Sequence, residues 1–226
     1  LAKRGMLALN IEFIGMGELQ ADVPHNLLAH LNLTGLAGYG LMVLALTKGL
    51  DVLLGHPRAD RRRVACTGVS GGGWQTIIAS ALDPRITCAV PVAGYTAVRS
   101  RVDVLSDVGD IEQCPVDLTT VLDYQDLTAM LVPRPALLIL NERDNCCFVT
   151  DRTRPVIYDA VKPTYRAFGA EANFETYNNR DPGTHNYEAD NRLHFYQFIE
   201  KHFGLPTLDH ELHRPEEILP ETALNV

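Results

Sequence analysis

Residues 68–72 read Gly68-Val69-Ser70-Gly71-Gly72, a G-x-S-x-G pattern with a short apolar run before it and helix-compatible residues after it. A serine on such a strand-to-helix turn needs small neighbours, because the turn is sharp and the serine backbone is strained. The turn lifts the hydroxyl clear of the sheet at the positive N-terminal end of the next helix. There the amide of Gly71 is placed to donate to a developing oxyanion. The chemistry implied is attack by the Ser70 oxygen on a carbonyl carbon. A purely structural glycine-rich turn would carry the same five letters, so the flanking strand and helix patterns are what favour a nucleophile.

A nucleophilic serine needs a base to accept its proton and an acid to orient that base. Where the serine sits on a strand-to-helix turn, the chain order is serine, then Asp or Glu, then His, each on a loop after a strand. Pro135-Ala136-Leu137-Leu138-Ile139-Leu140 is a continuous apolar run of the kind that forms a buried parallel strand, and Asp144 lies in the loop that follows it. A helical stretch over about 155–169 and a short strand over 172–177 lead into Asp181-Pro182-Gly183-Thr184-His185-Asn186. His185 thus stands in a loop just before an amphipathic final helix. Taken alone, a loop Asp is a turn former and a loop His is solvated; order, spacing and loop placement together select Ser70, Asp144 and His185. His25, His30 and His56 precede the serine, His194 and His202 fall on the final helix, and His210 and His213 lie in the tail. Glu112, in Gly109-Asp110-Ile111-Glu112-Gln113, is the competing acid, since it follows the preceding strand; a solvated loop or a pocket rim is its other reading.

These residues carry a resemblance to the α/β-hydrolases of the acetyl xylan esterase and dienelactone hydrolase type. The matching segments are 9–18 (Leu9-Asn10-Ile11-Glu12-Phe13 onward), the serine turn from Gly68 to Thr76, Ala81-Leu82-Asp83-Pro84-Arg85, Pro133-Arg134-Pro135 leading into Asp144, and His185-Asn186-Tyr187. The resemblance spans about residues 1–203 and implies ester hydrolysis by a serine nucleophile without a cofactor. It implies a small-molecule or carbohydrate ester as substrate but does not fix which, because similar sequences include acetyl esterases, broader carboxylesterases and peptidases. Measured against that family, the sequence begins at the fourth strand, with Leu1-Ala2-Lys3-Arg4-Gly5 as the end of the first helix. The loop that gives the second oxyanion amide in that family precedes that point, so either another amide substitutes, the Phe13-Ile14-Gly15 loop being the candidate, or the chain is a poor catalyst. Short acyl groups such as acetate are the favoured substrates. A serine peptidase or amidase is the second reading, and a non-catalytic assembly or carbohydrate-binding module that keeps the serine turn as scaffold is the third.

Composition bounds the remaining classes. The chain has 226 residues, 46% of them hydrophobic, with a net charge of -8. That length suits one domain with a substantial core. The acidic balance argues against a nucleic-acid partner, and the apolar runs are too short to span a bilayer. Arg61-Arg62-Arg63 is the basic cluster, read as a solvated loop entering the serine strand. No signal peptide is visible in a sequence that opens on Leu1. Cys66, Cys88, Cys114, Cys146 and Cys147 lack zinc spacing; Cys66 and Cys88 read as core thiols and Cys146-Cys147 as two free thiols beside Asp144, with a vicinal disulfide as the rarer alternative. His210 and His213 have a ligand-like separation but no third ligand, so no metal site is expected.

The elements that must position this chemistry alternate as in an α/β fold with helices on both faces of a mainly parallel sheet. Expected strands are 6–13, 64–68, 86–92, 136–140 and 172–177, with helix over much of 27–54, over 72–82 and after His185. Ser70, Asp144 and His185 all then fall at the C-terminal edge of the strands, where ligands bind in such sheets. Trp74, one turn into the serine helix, is expected either to line the pocket or to pack in the core. Residues 1–204 form the hydrolase domain, with 94–131 as a cap or pocket wall, and 205–226 form an extended tail. The fold is therefore a truncated α/β-hydrolase with about five strands, in which 6–13 pairs directly with 64–68 through a right-handed crossover. An apolar flank on such a sheet favours a homo-oligomer.

Overall fold

The computed structural model describes residues 1–21, 23–104, 115–212 and 215–223. Its centre is a parallel sheet of β1 (Ala65–Val69), β2 (Cys88–Val92), β3 (Ala136–Asn141) and β4 (Phe174–Asn179), in the order β1-β2-β3-β4. The helices are α1 (Gly40–Gly55), α2 (Gly71–Leu82), α3 (Val98–Val102), α4 (Tyr124–Ala129), α5 (Thr150–Val156), α6 (Tyr158–Ala167) and α7 (Ala189–Phe203).

Residues of β2 and β3 are buried throughout, as their unbroken apolar runs require of strands covered on both faces. Alternation along them splits the core in two. Ala89, Ala136 and Leu138 face Trp74, Ile77 and Ile78 of α2, Tyr124 and Leu127 of α4, and Val161 and Tyr165 of α6. Val90, Val92, Leu137 and Ile139 face Phe195, Phe198 and Ile199 of α7. Pro91, which has no N–H, sits within β2, and the β2–β3 register rests on Ala89 opposite Ala136 and Val92 opposite Ile139. The 94–131 segment contributes Tyr95, Ala97, Tyr124, Leu127 and Leu131 to the first core cluster. The late helical stretch is two helices broken at Ile157, and residues 25–34 form a 3-10 helix ahead of α1.

The fifth strand is not formed. Residues 6–13 run without strand structure, and β1 is a sheet edge. Contacts on either side hold the segment off β1. Ile11 and Leu9 pack where α1 carries Gly49, a position at which a Cβ would meet the Ile11 side chain at 2.2 Å. At the other end Arg4 is locked onto α7: its guanidinium lies 2.5 Å from Glu200 Oε1, both side chains buried, and 4.4 Å from the Tyr196 ring centroid. The result is a cavity of about 940 Å³ between Met6–Phe13 and β1, lined by Leu9, Ile11, Leu50, Cys66, Gly68 and Phe195 among others. Leu7 and Leu9 stay exposed, while Ile11 and Phe13 are half-buried.

Candidate active site

Ser70 occupies the turn between β1 and α2 with φ 57° and ψ −122°. A positive φ on a residue with a Cβ costs about 1–3 kcal/mol and persists only where the surroundings enforce it. They do so here through close backbone packing. A Cβ on Gly68 would lie 2.6 Å from the carbonyl carbon of Gly72, and one on Gly73 would lie 2.7 Å from the Val92 oxygen. Gly72 itself has open space where a Cβ would go, so Gly68 and Gly73 are the positions that demand glycine. The Ser70 amide donates to the Val92 carbonyl at 3.0 Å, tying the turn to the end of β2. Gly71 begins α2, where the first-turn N–H groups have no acceptor within the helix and point at the space above the serine.

Asp144 follows β3 in a tight loop and its carboxylate is wholly buried. Oδ1 accepts from the backbone N–H groups of Cys146, Cys147 and Phe148 at 2.9, 3.0 and 3.3 Å. Oδ2 is 2.8 Å from Nδ1 of His185. Burial pushes the carboxyl pKa up, but the His185 ring and the backbone donors outweigh it and hold the group below the usual carboxylate range. An ionised carboxylate only accepts hydrogen bonds. The short contact therefore requires the proton on Nδ1, which leaves Nε2 with a free lone pair.

Several contacts that the sequence alone did not reveal fix the His185 loop. The Arg143 guanidinium donates to the carbonyls of Arg180 and Pro182 at 3.0 and 2.7 Å, and the Arg143 amide donates to Gly183 at 2.8 Å. The His185 amide donates to Asn145 Oδ1 at 2.9 Å. Below the loop Asn179, Asn186 and Asn191 form a buried network, with Asn179 Oδ1 accepting from Gly183 and Asn186, and Asn191 donating to Asn141 and Asn186. Two residues past His185, the Tyr187 hydroxyl is 2.6 Å from Thr67 Oγ1, so the loop after β4 reaches across the sheet to the serine strand. The unusual density of asparagine around Pro182-Gly183 was the only sequence trace of this network.

Asp144 and His185 are thus brought into direct contact, and the loop bearing His185 is tied to β1 three residues before Ser70. Among the described residues the Ser70 hydroxyl makes no hydrogen bond to His185; such contacts are commonly long before substrate binds. Trp74 is fully buried, and its indole N–H donates to the Tyr124 hydroxyl. Of its two expected roles the core one holds, and pocket lining is withdrawn because the ring has no exposed surface. Phe13 lines the same cavity as Gly68, Val69 and Gly72. Glu112 and His213 lie outside the described residues, and among the described residues no cluster of His, Cys, Asp and Glu could hold a metal ion.

A family model described as acetyl xylan esterase (AXE1) matches residues 39–127, a span that contains Ser70. Solved structures share the fold. The methylesterase BT1017 aligns at a TM-score of 0.64 with 22% identity, over 86% of this chain and 41% of its own. The glucuronoyl esterase catalytic domain from Hypocrea jecorina aligns at 0.54 with 19% identity, over 75% of this chain and 52% of its own. A glucuronoyl esterase from Teredinibacter turnerae aligns at 0.55 with 15% identity, over 74% and 47%. No curated protein matches the chain by sequence. The chain has the fold of these esterase structures and carries an acetyl xylan esterase match over residues 39–127, and it spans about half, or less, of the length of these structures.

Proposed function

We propose that the chain hydrolyses carboxylic esters with short, acetyl-type acyl groups through Ser70, His185 and Asp144. The observation that carries this reading is the Asp144–His185 contact of 2.8 Å, held by a loop anchored to the serine strand through Tyr187. In the scheme, His185 Nε2 accepts the Ser70 proton as Oγ attacks the ester carbonyl, and the imidazolium that forms is stabilised by Asp144. The Gly71 amide and the dipole of α2 stabilise the tetrahedral oxyanion. His185 then returns the proton to the leaving alcohol, and water releases the acyl group by the same steps in reverse. The scheme draws on no cofactor. A carbohydrate ester is the substrate class favoured by the acetyl xylan esterase match and by the names of the glucuronoyl esterases that share the fold.

An ester is preferred over an amide because an alcohol leaves more readily than an amine, which must be protonated as it departs. Turnover of p-nitrophenyl acetate with no cleavage of a p-nitroanilide peptide is the expected result, and the reverse pattern would make the protein a peptidase. Labelling with a fluorophosphonate should place the adduct on Ser70. An unlabelled Ser70 in the folded protein would refute the nucleophile and favour a non-catalytic role.

A further inference from the structure

The loop that holds Asp144 is built from adjacent thiols. Cys146 is exposed, Cys147 is buried, and neither is in a disulfide. The backbone N–H groups of these same residues donate to Asp144 Oδ1 at 2.9 and 3.0 Å, so two of the three backbone donors on the acid belong to the cysteines. We propose that Cys146 and Cys147 are a site of reversible oxidation, closing to a vicinal disulfide that misaims Asp144 and lowers activity. The loss of activity rests on the esterase reading, whereas the oxidation itself does not.

The roles divide by exposure. The exposed Cys146 meets the oxidant first, hydrogen peroxide. Its thiolate attacks a peroxide oxygen, forming an S–O bond as the O–O bond breaks, and the departing oxygen leaves as water after protonation. The Cys147 sulfur then attacks the sulfenic sulfur of Cys146; the S–S bond forms, the S–O bond breaks, and a second water leaves with the Cys147 proton. In sum, two thiols lose two electrons and two protons while one hydrogen peroxide is reduced to water. Burial and the neighbouring Cys146 push the Cys147 thiol up to about 12, while the Arg101 guanidinium works the other way. Arg101 is itself buried, with Nε and Nη2 lacking hydrogen-bond partners among the described residues and its guanidinium carbon 5.7 Å from the Phe148 ring centroid.

Geometry makes such a bond a switch and not a staple. Adjacent Cα atoms are about 3.8 Å apart across a trans peptide, below the 4.4–6.8 Å span of relaxed disulfides, and strained disulfides are readily reduced. Drawing the two Cβ atoms together requires the peptide between Cys146 and Cys147 to rotate. The N–H of that peptide is one of the Asp144 donors, so ring closure withdraws support from the acid whose other oxygen holds His185.

The test exposes the whole chain to hydrogen peroxide and follows the 146–147 peptide by mass, together with hydrolysis of p-nitrophenyl acetate. The expected result is loss of two hydrogens from that peptide, with turnover falling about tenfold or more and returning with dithiothreitol. Cys146→Ser, an exposed and isosteric change, should keep its activity through the same treatment. The low-field proton resonance of the Asp144–His185 hydrogen bond should weaken on oxidation in parallel, a readout that does not depend on turnover. The proposal is overturned if the peptide keeps both thiols while exposed methionines oxidise. It is equally overturned if the disulfide forms and the resonance stays unchanged. If untreated protein hydrolyses no ester, the esterase reading fails, and mass and resonance still decide the redox site.

Discussion

At the scale of single residues, the proposed site divides into a serine on a strained turn and an Asp144–His185 pair held by hydrogen bonds. Ser70→Ala should abolish turnover and His185→Ala should lose nearly as much, because an unactivated hydroxyl is a weak nucleophile at neutral pH. The double variant should be scarcely worse than Ser70→Ala, since the members act as a unit. Asp144→Asn should cost roughly a thousandfold or more by releasing the tautomer that keeps Nε2 free. Glu112→Gln should cost far less in the same steady-state assay, and the opposite ranking with folding intact would move the acid to the earlier loop. Asp144 also makes a prediction about stability. Its folded pKa lies below its unfolded value, so the unfolded chain binds the proton more readily. Its contribution is fully present above the unfolded carboxylate pKa of about 3.9 and disappears as pH falls through the lower folded value. Urea unfolding should therefore find wild type ahead of Asp144→Asn at neutral pH, with the difference shrinking below about pH 4.

At the scale of elements, the serine turn is a packing problem solved by two glycines. Gly68→Ala forces a carbon against the Gly72 backbone, which is not able to retreat without moving the start of α2. Overpacking of this kind costs about 1–3 kcal/mol, and here the displaced atoms include those that aim Ser70 and the Gly71 amide. Thermal melts should show that loss together with a steep fall in turnover. Gly72→Ala, one turn position away and into open space, should be neutral or stabilising by up to about 1 kcal/mol, because it replaces a flexible residue within a helix. Equal damage from both would mean that the motif is read by flexibility and not by close approach. The His185 loop solves its own problem differently, by hydrogen bonds to carbonyls and a buried asparagine network. Its register thus depends on residues from β3, β4 and α7 at once.

At the scale of the whole molecule, the sheet of the described residues ends at β1 on one side and β4 on the other, and the β1 edge is bordered by a large, mainly apolar cavity. Edges with free N–H and C=O groups, and apolar surface beside them, favour association. Self-association is therefore expected, as a mass in light scattering that rises above that of one chain with concentration. A monodisperse single chain at high concentration would count against it. The tail meanwhile lies along α7. Arg192 pairs with Glu211 at 2.6 Å and the Leu208 amide donates to Glu200 at 3.2 Å.

The sequence by itself determined the serine turn, the four strands that follow one another from Val64 onward, and the chain order of Ser70, Asp144 and His185. Each is a local or sequential property: apolar runs bounded by turn residues, small residues around a serine, loops after strands. The serine helix and final helix were legible for the same reason, since helical apolar spacing needs no partner to be recognised. Where 6–13 would lie was not legible. Its apolar residues do not name a partner, and the structure sets Ile11 against α1 at Gly49 and Arg4 against Glu200. Nor was the choice between pocket and core for Trp74, which depended on where α4 placed Tyr124. The clamp of Arg143 on the His185 loop and the reach of Tyr187 to Thr67 join residues about forty or more apart in the chain. Only the tertiary structure decides such contacts, because a hydrogen bond between distant residues leaves no period or spacing in the sequence that encodes it.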